Sequence, residues 1–479
     1  MSNTETRIES PPVPSENGSG SKSSSGFTAT QKIAMAVLLT ANFTLAVDFS
    51  ILNVALPHIG HDLGFATANL QWIVTTFALC AAGFTLFFGR VADLFGRKKL
   101  FLIGMVLLGV ASLIGGLAQV PALLLAARVG QGLATAMVTP AALSLMTTMF
   151  PEGPARSKAL GLNGALMAAG FTAGAVLGGL LTGAVSWRWA FFINVVVAVI
   201  VLVLAPAVLK EPAAGQRPKL DVPGAVLITV ALVALVFGID NAGHHGWTHA
   251  GIWGPVIGAF VLFAIFLAVE GKTTEPLVAP DLLKRSNIAW GNITGLLGFA
   301  TMTSLVFLLT LYLQEILDYN AITAGLILGV LGIGTVIGGL IAPRIIGATN
   351  PKVTIILGFL LQAVATVPLA FISDSRGWLI PLLITTFIGG VANLIAIVGY
   401  TVTSTMGVEA GRQGLATGLV TMSQQVGIAL GTPVMSAIAV SVVASTLLPG
   451  LQLAIGVNAA LCLAAAVLVG VFLRLPKQQ

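Results

Sequence analysis

Apolar runs of membrane length follow one another along nearly the whole chain, from about residue 32 to residue 473. A stretch of about 18 or more apolar residues with few charges is typical of a membrane-spanning helix. Only 8% of the 479 residues are charged, against about 25% in an average soluble domain. The sequence therefore predicts an all-α integral membrane protein and excludes a soluble enzyme.

Breaks at proline, glycine and charged residues divide the apolar runs into fourteen predicted spans. They lie near residues 32–57, 68–88, 100–120, 122–148, 157–183, 189–209, 222–240, 251–270, 288–316, 321–343, 353–372, 378–403, 413–446 and 452–473. Residues 1–31 are rich in Ser, Gly and Pro and predict a disordered cytoplasmic tail. Residues 475–479 predict a second, short cytoplasmic tail.

The basic residues are distributed asymmetrically over the loops. If the N-terminus is cytoplasmic, 20 of the 23 Lys and Arg fall in segments on that side, whereas Arg188 and Arg376 fall on the other. Lys and Arg are enriched in cytoplasmic loops. The pattern predicts a multi-pass protein of the cytoplasmic membrane with both termini in the cytoplasm.

Glycines in two of the spans repeat with one spacing. Three in the fifth span match three in the thirteenth, namely Gly161, Gly170 and Gly174 against Gly418, Gly427 and Gly431. An offset of eight spans fits two six-helix halves with two extra helices between them, and repeated halves are typical of transporters. We expect the halves at residues 32–209 and 288–474, with the two extra helices in residues 210–287.

Two charged residues lie inside predicted spans, where a charge is costly and usually functional. Asp48 lies about 24 Å along the first span, and Arg128 about 9 Å into the fourth from its other end, in a core of about 30 Å. Both therefore lie at a similar depth. Burial disfavours the charged carboxylate and a nearby guanidinium favours it, so a conformational change could make Asp48 take up and release a proton. The alternative is a permanent ion pair that only fixes helix packing.

The loop between the second and third spans carries the densest charge of the chain. Its glycines Gly89 and Gly96 allow close backbone approach, and Asp93 stands near the start of the third span, where helix polarity favours a carboxylate. With Arg97 and Lys98 these residues are candidates for a conformational latch. A signal for membrane topology alone would explain the basic residues, but not Asp93 and the glycines.

Uncharged polar residues within spans are candidates for lining a substrate cavity: Asn53, Trp72, Gln131, Asn292, Asn393 and Gln425. The spacing of His, Cys, Asp and Glu predicts no metal site, and no cofactor is expected. No G-x-x-x-x-G-K-[ST] loop is present, so the sequence does not favour transport driven by ATP binding to this chain. The net charge of +6 is explained by the loops rather than by nucleic-acid binding.

Five motifs occur in order on the expected spans. They are Asp48-x4-Asn53-Val-Ala-Leu-Pro57, the loop Gly89–Lys99, Leu124-x3-Arg128-x2-Gln131-Gly132, Gly161-x8-Gly170-x3-Gly174-x3-Gly178-Gly179, and Trp187-Arg-Trp-Ala-Phe-Phe-Ile-Asn194. Over about residues 32–474 the chain resembles the major facilitator superfamily, in particular its fourteen-helix drug:proton antiporters. Ala175 stands where the antiporter motif usually has Pro, which makes strict antiport less secure.

The resemblance implies a major facilitator fold whose halves rock to open a cavity alternately to each side. It implies that Asp48 with Arg128 couples proton entry to drug exit, that the Gly89–Lys99 loop is a latch, and that the Gly161–Gly179 series marks the antiporter helix. An extra acid in the tenth or thirteenth span, found in exporters of divalent cations, is missing here. Dicationic substrates are therefore less favoured than monocationic, neutral or zwitterionic ones.

Four functions remain open from the sequence, of which a non-transporting receptor is disfavoured by the repeated halves. We expect a proton-coupled exporter of small amphipathic molecules such as antibiotics, acting as a monomer in the lipid bilayer, and no enzyme activity. A dedicated exporter or importer of one metabolite is the second hypothesis. A membrane-embedded enzyme is the third, and it would need paired His or carboxylate groups at one depth, to which only Asp48 with Arg128 comes close.

Overall fold

The structure, a computed structural model, describes residues 28–66, 69–149, 154–211, 221–245, 250–273, 280–408, 413–442 and 446–476, and most of these residues are helical. The first eight helices are α1 (Ala29–Leu63), α2 (Gln71–Phe95), α3 (Arg97–Gly116), α4 (Pro121–Met149), α5 (Pro154–Ala184), α6 (Trp189–Val208), α7 (Val222–His245) and α8 (Ala250–Glu270). After a short α9 (Pro280–Leu283) come α10 (Ser286–Leu311), α11 (Ala321–Ala348), α12 (Pro351–Thr366), α13 (Leu379–Thr405), α14 (Gln413–Ser441) and α15 (Leu448–Phe472).

Eleven helices among the described residues are long and apolar enough to cross a membrane, which confirms an all-helical membrane fold. Helices α2, α5 and α14 are as long but less uniformly apolar. These three lie between other helices, since α5 packs against α1 and α11, and α2 packs against α4 and α14. Polar residues in membrane helices face the bundle interior, so their weaker hydropathy reflects contact with protein rather than with lipid.

The first six and the last six long helices pack in the same pattern. Helix α1 packs against α5 and α6, α4 against α2 and α3, and α3 against α6. In the same way α10 packs against α14 and α15, α13 against α11 and α12, and α12 against α15. Helices α7 and α8 pack on each other, and α7 lies against α2 and α14. The largest buried apolar cluster joins both groups, for example through Leu52 and Leu309.

The repeated glycines make matching contacts. A Cβ added at Gly170 would lie 2.9 Å from the carbonyl oxygen of Phe43, and one at Gly174 would lie 2.7 Å from that of Val47. Gly427 and Gly431 press in the same way on the carbonyls of Leu296 and Ala300, at the same separation along α10. Small residues thus let α5 reach α1, and α14 reach α10, at backbone distance.

The N-terminal boundary differs slightly from the prediction. Helix α1 begins at Ala29, within the predicted tail, because the Thr28 side chain and the Gln31 side chain form a capping box there. The rest of the predicted tail, residues 1–27, lies outside the described part of the chain. Helix α5 continues without a break through Ala175, whereas α14 contains Pro433.

Candidate functional site

Asp48 and Arg128 meet in the interior of the bundle. Arg128 on α4 donates from Nη1 to Oδ2 of Asp48 on α1 at 3.2 Å, and both side chains are fully buried. The guanidinium also donates from Nε to the carbonyl oxygen of Ile73 on α2, at 2.9 Å. The two residues that the sequence placed at one depth are therefore in contact. Removing one partner of a buried pair leaves an uncompensated charge, which typically costs about 3–5 kcal/mol.

Neutral side chains complete the hydrogen bonding of the pair. Gln131 accepts from Arg128 Nη1 at 2.7 Å and donates to Asp48 Oδ1 at 3.0 Å and to Ser112 Oγ at 2.9 Å. Asn194 on α6 donates to the same carboxylate oxygen of Asp48. Donors from two helices, α4 and α6, therefore converge on the carboxylate of α1, which receives one charged donor and two neutral ones. This arrangement stabilises the ionised carboxylate without exposing it to water.

An aromatic ring covers the guanidinium. The Cζ of Arg128 lies 4.4 Å from the centroid of the Phe77 ring. Phe77 packs in turn against Phe49, with their centroids 6.0 Å apart. Among the described residues Arg128 Nη2 has no hydrogen-bond partner, so the ring face is an important neighbour of this buried cation.

A cavity of about 320 Å³ lies between the two groups of helices, within the size range of small-molecule sites. Helices α1, α2, α4 and α5 line it on one side, and α10, α11, α13 and α14 on the other. Its aromatic lining is Phe49, Phe77, Phe171 and Phe299, and its polar lining is Asn42, Thr135, Thr139, Asn163, Thr303, Thr335, Thr421, Gln424 and Gln425. Among the described residues, those that line the cavity carry no formal charge.

Most of the predicted cavity residues do not line this cavity. Gln425 does, whereas Asn53, Gln131, Asn292 and Asn393 are buried in the helix packing, and Trp72 lines a separate open pocket near the start of α2. The buried amides are engaged locally: Gln131 bonds Asp48, Asn292 donates to the carbonyl of Ile288 and Asn393 to that of Gly298. Asn42 and Asn163 were not among the predicted cavity residues, and they form a 2.7 Å hydrogen bond across α1 and α5 at the cavity wall.

The two groups of helices touch each other at the end where α1 and α5 finish. Gln314 donates to the carbonyl oxygen of Val54 at 2.8 Å. A Cβ added at Gly325 on α11 would lie 2.8 Å from the carbonyl oxygen of Ala175 and 2.9 Å from the Cα of Gly179. Backbone contact between α5 and α11 closes the bundle at this end, which we call the far end because it lies opposite the α2–α3 loop.

Comparison with known proteins identifies the family. Residues 38–432 match the profile of the Major Facilitator Superfamily. The chain belongs to the major facilitator superfamily. It is 37% identical over 421 residues to the cephamycin export protein CmcT of Amycolatopsis lactamdurans, a match that covers 85% of each chain. It is 33% identical over 417 residues to the puromycin resistance protein of Streptomyces alboniger, with 86% of this chain and 82% of the relative covered.

A solved superfamily structure shares the fold. The crystal structure of the human organic anion transporter MFSD10 matches with a TM-score of 0.63 at 15% identity, covering 92% of this chain and all of that one. At this identity the likeness concerns the fold alone.

The Gly89–Lys99 loop, which resembles the superfamily's loop motif, lies at the junction of α2 and α3. Gly96 has a φ of 105° and ends α2, so that Asp93 belongs to the last turn of α2 and not to the start of α3. The expectation that the polarity of its own helix favours Asp93 is therefore wrong, since a helix C-terminus disfavours a carboxylate. The Asp93 side chain lies outside the described part of the structure. Lys98 donates from Nζ to the carbonyl oxygen of Pro206 at 2.8 Å, which ties the loop to α6.

Replacing Gly96 with Ala is expected to destabilise this junction. A non-glycine residue at such a φ costs about 1–3 kcal/mol, and the new Cβ would lie 3.0 Å from the Glu211 carboxylate. The apparent melting temperature of the purified protein should fall. Gly347→Ala, at an α-helical position with open space around the added Cβ, should leave it unchanged, and equal melting temperatures for the two variants would contradict the strain at Gly96.

The glycine series that resembles the superfamily's antiporter motif forms two contacts of α5. Gly170, Gly174 and Gly178 face α1, and Gly179 faces α11 at the far end. The surroundings of Gly161 lie outside the described part. The glycine series therefore joins the helix that carries Asp48 to the contact between the two groups of helices.

The last six helices contain an uncharged cluster in the corresponding place. Ala300 is the counterpart of Val47, because the repeated glycines lie on these two carbonyls. Thr301, the next residue, therefore takes the place of Asp48, and its hydroxyl accepts from Gln362 on α12 at 3.2 Å. Asn393 on α13 donates to Gln362 at 3.1 Å, and Asn458 on α15 donates to the Thr301 carbonyl at 2.9 Å. Of the two clusters, only that around Asp48 contains ionised groups.

Three residues of the site escaped the sequence reasoning. Asn194 closes the quoted Trp187–Asn194 motif, and its amide within a span was a usable signal. Ser112 and Phe77 gave none, because a serine or a phenylalanine in a membrane helix is commonplace.

Proposed function

We propose that this chain is a proton-coupled exporter of small amphipathic molecules, antibiotics among them, that works by alternating access. The observation that carries the proposal is the buried Asp48–Arg128 pair beside an uncharged cavity between two groups of helices. A pair in this position can respond to a change in how the groups pack, and the cavity can hold the molecule that is moved.

Proton coupling follows from the surroundings of Asp48. The carboxylate is fully buried, which favours its neutral form, and it accepts hydrogen bonds from Arg128, Gln131 and Asn194, which favour its ionised form. When the helices shift and any of these donors is lost, the neutral acid becomes the more stable form. A cycle between two packings of the bundle would therefore load and release one proton at Asp48.

The direction and the substrate class rest on the relatives. Two of them, an export protein for cephamycin and a resistance protein for puromycin, are named for removing an antibiotic or resisting it. The cavity offers rings for stacking and amides for hydrogen bonds, and no charge to balance a charged substrate. We therefore propose substrates that combine an apolar body with polar groups and carry no net charge.

A dedicated exporter of one metabolite is the second candidate. It is favoured by the relatives' names, each of which mentions a single antibiotic. The two candidates differ in the breadth of the substrate panel and not in the mechanism. Catalysis by a membrane-embedded enzyme is not proposed, because these relatives are transport and resistance proteins.

The proposed topology has fourteen spans and both termini in the cytoplasm. Besides the eleven apolar helices, α2, α5 and α14 would also cross, at 25, 31 and 29 residues. The repeated packing supports six-helix halves at residues 32–209 and 288–474, with α7 and α8 between them. We propose a monomer in the cytoplasmic membrane whose α2–α3 loop, with Gly89, Asp93, Gly96, Arg97 and Lys98, latches the cytoplasmic side.

Transport in proteoliposomes with an imposed pH gradient tests the function. We expect uphill movement of puromycin or its N-acetyl derivative against the proton flow, and none after the gradient is collapsed with a protonophore. Accumulation that persists without a pH gradient would contradict proton coupling. A panel of unrelated uncharged antibiotics separates the two candidates, because a dedicated exporter should move one member.

The uncharged lining predicts a preference between matched substrates. N-acetylation removes the amino group that puromycin can protonate and leaves the rest of the molecule intact. Burying an unpaired charge is costly, so the N-acetyl derivative should have the lower KM at a pH where puromycin is protonated. A lower KM for protonated puromycin would contradict the uncharged substrate class.

A further inference from the structure

Phe77 is shared by the ion pair and the cavity. The Arg128 guanidinium lies 4.4 Å from its ring centroid, while the same ring forms part of the cavity wall. Phe49 and Phe171 continue that wall, with centroids 6.0 Å from Phe77 to Phe49 and 5.9 Å from Phe49 to Phe171. One ring therefore separates the buried cation from the space that a substrate would occupy.

The backbone of Phe77 is fixed against the helix that carries Arg128. Gly132, one turn beyond Arg128 on α4, lies against the carbonyl oxygen of Phe77 without room for a side chain. Four residues before Phe77, the carbonyl of Ile73 accepts from Arg128 Nε. With the backbone held at both points, the freedom that remains at this position is in the side chain.

We propose that Phe77 transmits substrate binding to the Asp48–Arg128 pair, and proton binding back to the cavity. The proposal rests on the proposed function, and Phe77 acts in it as a positioning residue. While Asp48 is ionised, its ion pair with Arg128 keeps the guanidinium over the Phe77 ring. The contact with the guanidinium fixes the orientation of this ring in the cavity wall. When Asp48 binds a proton, Arg128 loses its charged partner and the guanidinium is free to move. The Phe77 ring then loses the contact that fixes its orientation.

Linkage makes the effect reciprocal. If ionisation of Asp48 favours the orientation of Phe77 to which the substrate binds, it raises the affinity for the substrate by some factor. Bound substrate must then lower the affinity of Asp48 for a proton by the same factor. Substrate binding and proton binding would thus oppose each other, as an exchange of drug for proton requires. The attraction between a desolvated guanidinium and an aromatic face is large enough to change affinity about tenfold.

Few other titratable groups face Asp48 among the described residues. Arg128 on α4 is the charged group that bonds it, and α3 and α6 present the neutral Ser112 and Asn194. Helix α5 packs against α1 through glycines, and Gln314, three residues beyond the end of α10, bonds Val54 further along α1. On α2 the Cys80 thiol lies near Gly132. A pH effect that Phe77 transmits therefore originates at Asp48 and Arg128.

The test compares Phe77→Leu with Phe171→Leu. Both replace a ring of the cavity wall with an apolar side chain, but Phe171 packs on Phe49 rather than on Arg128. Binding of N-acetylpuromycin to the purified full chain is measured from pH 5 to pH 9. We expect the Kd of the parent and of Phe171→Leu to rise about tenfold towards acid pH, and that of Phe77→Leu to change less than about threefold.

A conservative variant separates loss of the aromatic contact from misfolding of the protein. Phe77→Trp keeps an aromatic face for the guanidinium and should restore the pH dependence, whatever it does to the absolute Kd. Equal pH dependence in Phe77→Leu and the parent would overturn the proposal, as would a flat profile in Phe171→Leu. If the parent binds the probe with no pH dependence, the proposed proton coupling fails instead, which keeps the two failures distinct.

Discussion

Uphill transport driven by a pH gradient is expected to vanish when Asp48 is replaced with Asn. Asn has nearly the size of Asp and can keep hydrogen bonds to Gln131 and Asn194, but it cannot bind and release a proton. The variant should still move substrate down a concentration gradient, because the cavity lining is intact. Accumulation against the gradient should fall to the level of protein-free liposomes.

The control lies on the same helix. Asp62, near the end of α1, accepts a 2.8 Å hydrogen bond from Trp187 Nε1 and is partly exposed. Asp62→Asn removes the same charge and keeps an acceptor oxygen, so uphill transport should remain. If Asp48→Asn accumulated substrate as the parent does, proton coupling would lie elsewhere, and the pair would be the permanent packing contact that the sequence left open.

The ion pair was predictable because the depth of each charged residue in the membrane can be calculated from its position in the sequence. Charges are rare in membrane helices, and a rise of about 1.5 Å per residue places each one along its span. On this basis alone, Asp48 and Arg128 were predicted to lie at the same depth in the membrane. That Asn194 donates to Asp48, and that Ser112 accepts from Gln131, could not be predicted, since the depth of a polar residue does not reveal which neighbour it faces.

The cavity lining was largely unpredictable for the same reason. Asn42 and Asn53 are eleven residues apart on α1 and therefore share one face of the helix. They differ in depth by about 16 Å, and the cavity reaches Asn42 while Asn53 lies near the closed far end. Where an inner cavity begins and ends depends on how far the two groups of helices have closed, which no local pattern encodes.

The α2–α3 junction shows a different limit. Hydropathy marks where a segment leaves the membrane, and it ended the second span near residue 88. The helix itself continues to Phe95 and stops where Gly96 takes a positive φ. Asp93 was therefore assigned to the wrong helix end, although Gly96, which ends α2, was among the residues that the sequence singled out.

Replacing Gly325 with Val is expected to stop the transport cycle by preventing closure of the far end. A side chain at this position meets the backbone of α5, at the carbonyl of Ala175 and the Cα of Gly179. Backbone cannot move aside as a flexible side chain can, so α5 and α11 must separate. The conformation with a closed far end should lose about 1.4 kcal/mol or more of stability, so that turnover falls at least about tenfold. Equilibrium binding of N-acetylpuromycin should remain measurable.

Gly347→Val on the same helix is the matched control, since a Cβ there meets open space. It carries the same β-branched cost and should turn over close to the parental rate. In a background whose native Cys80 and Cys462 are replaced with Ala, a single cysteine introduced at Val54, beside Gln314 in the closed far end, reports the state of that end. In Gly325→Val it should react with a polar maleimide added from the far side faster than in the parent. Slow labelling together with normal turnover would contradict the idea that contact between α5 and α11 forms the closed far end.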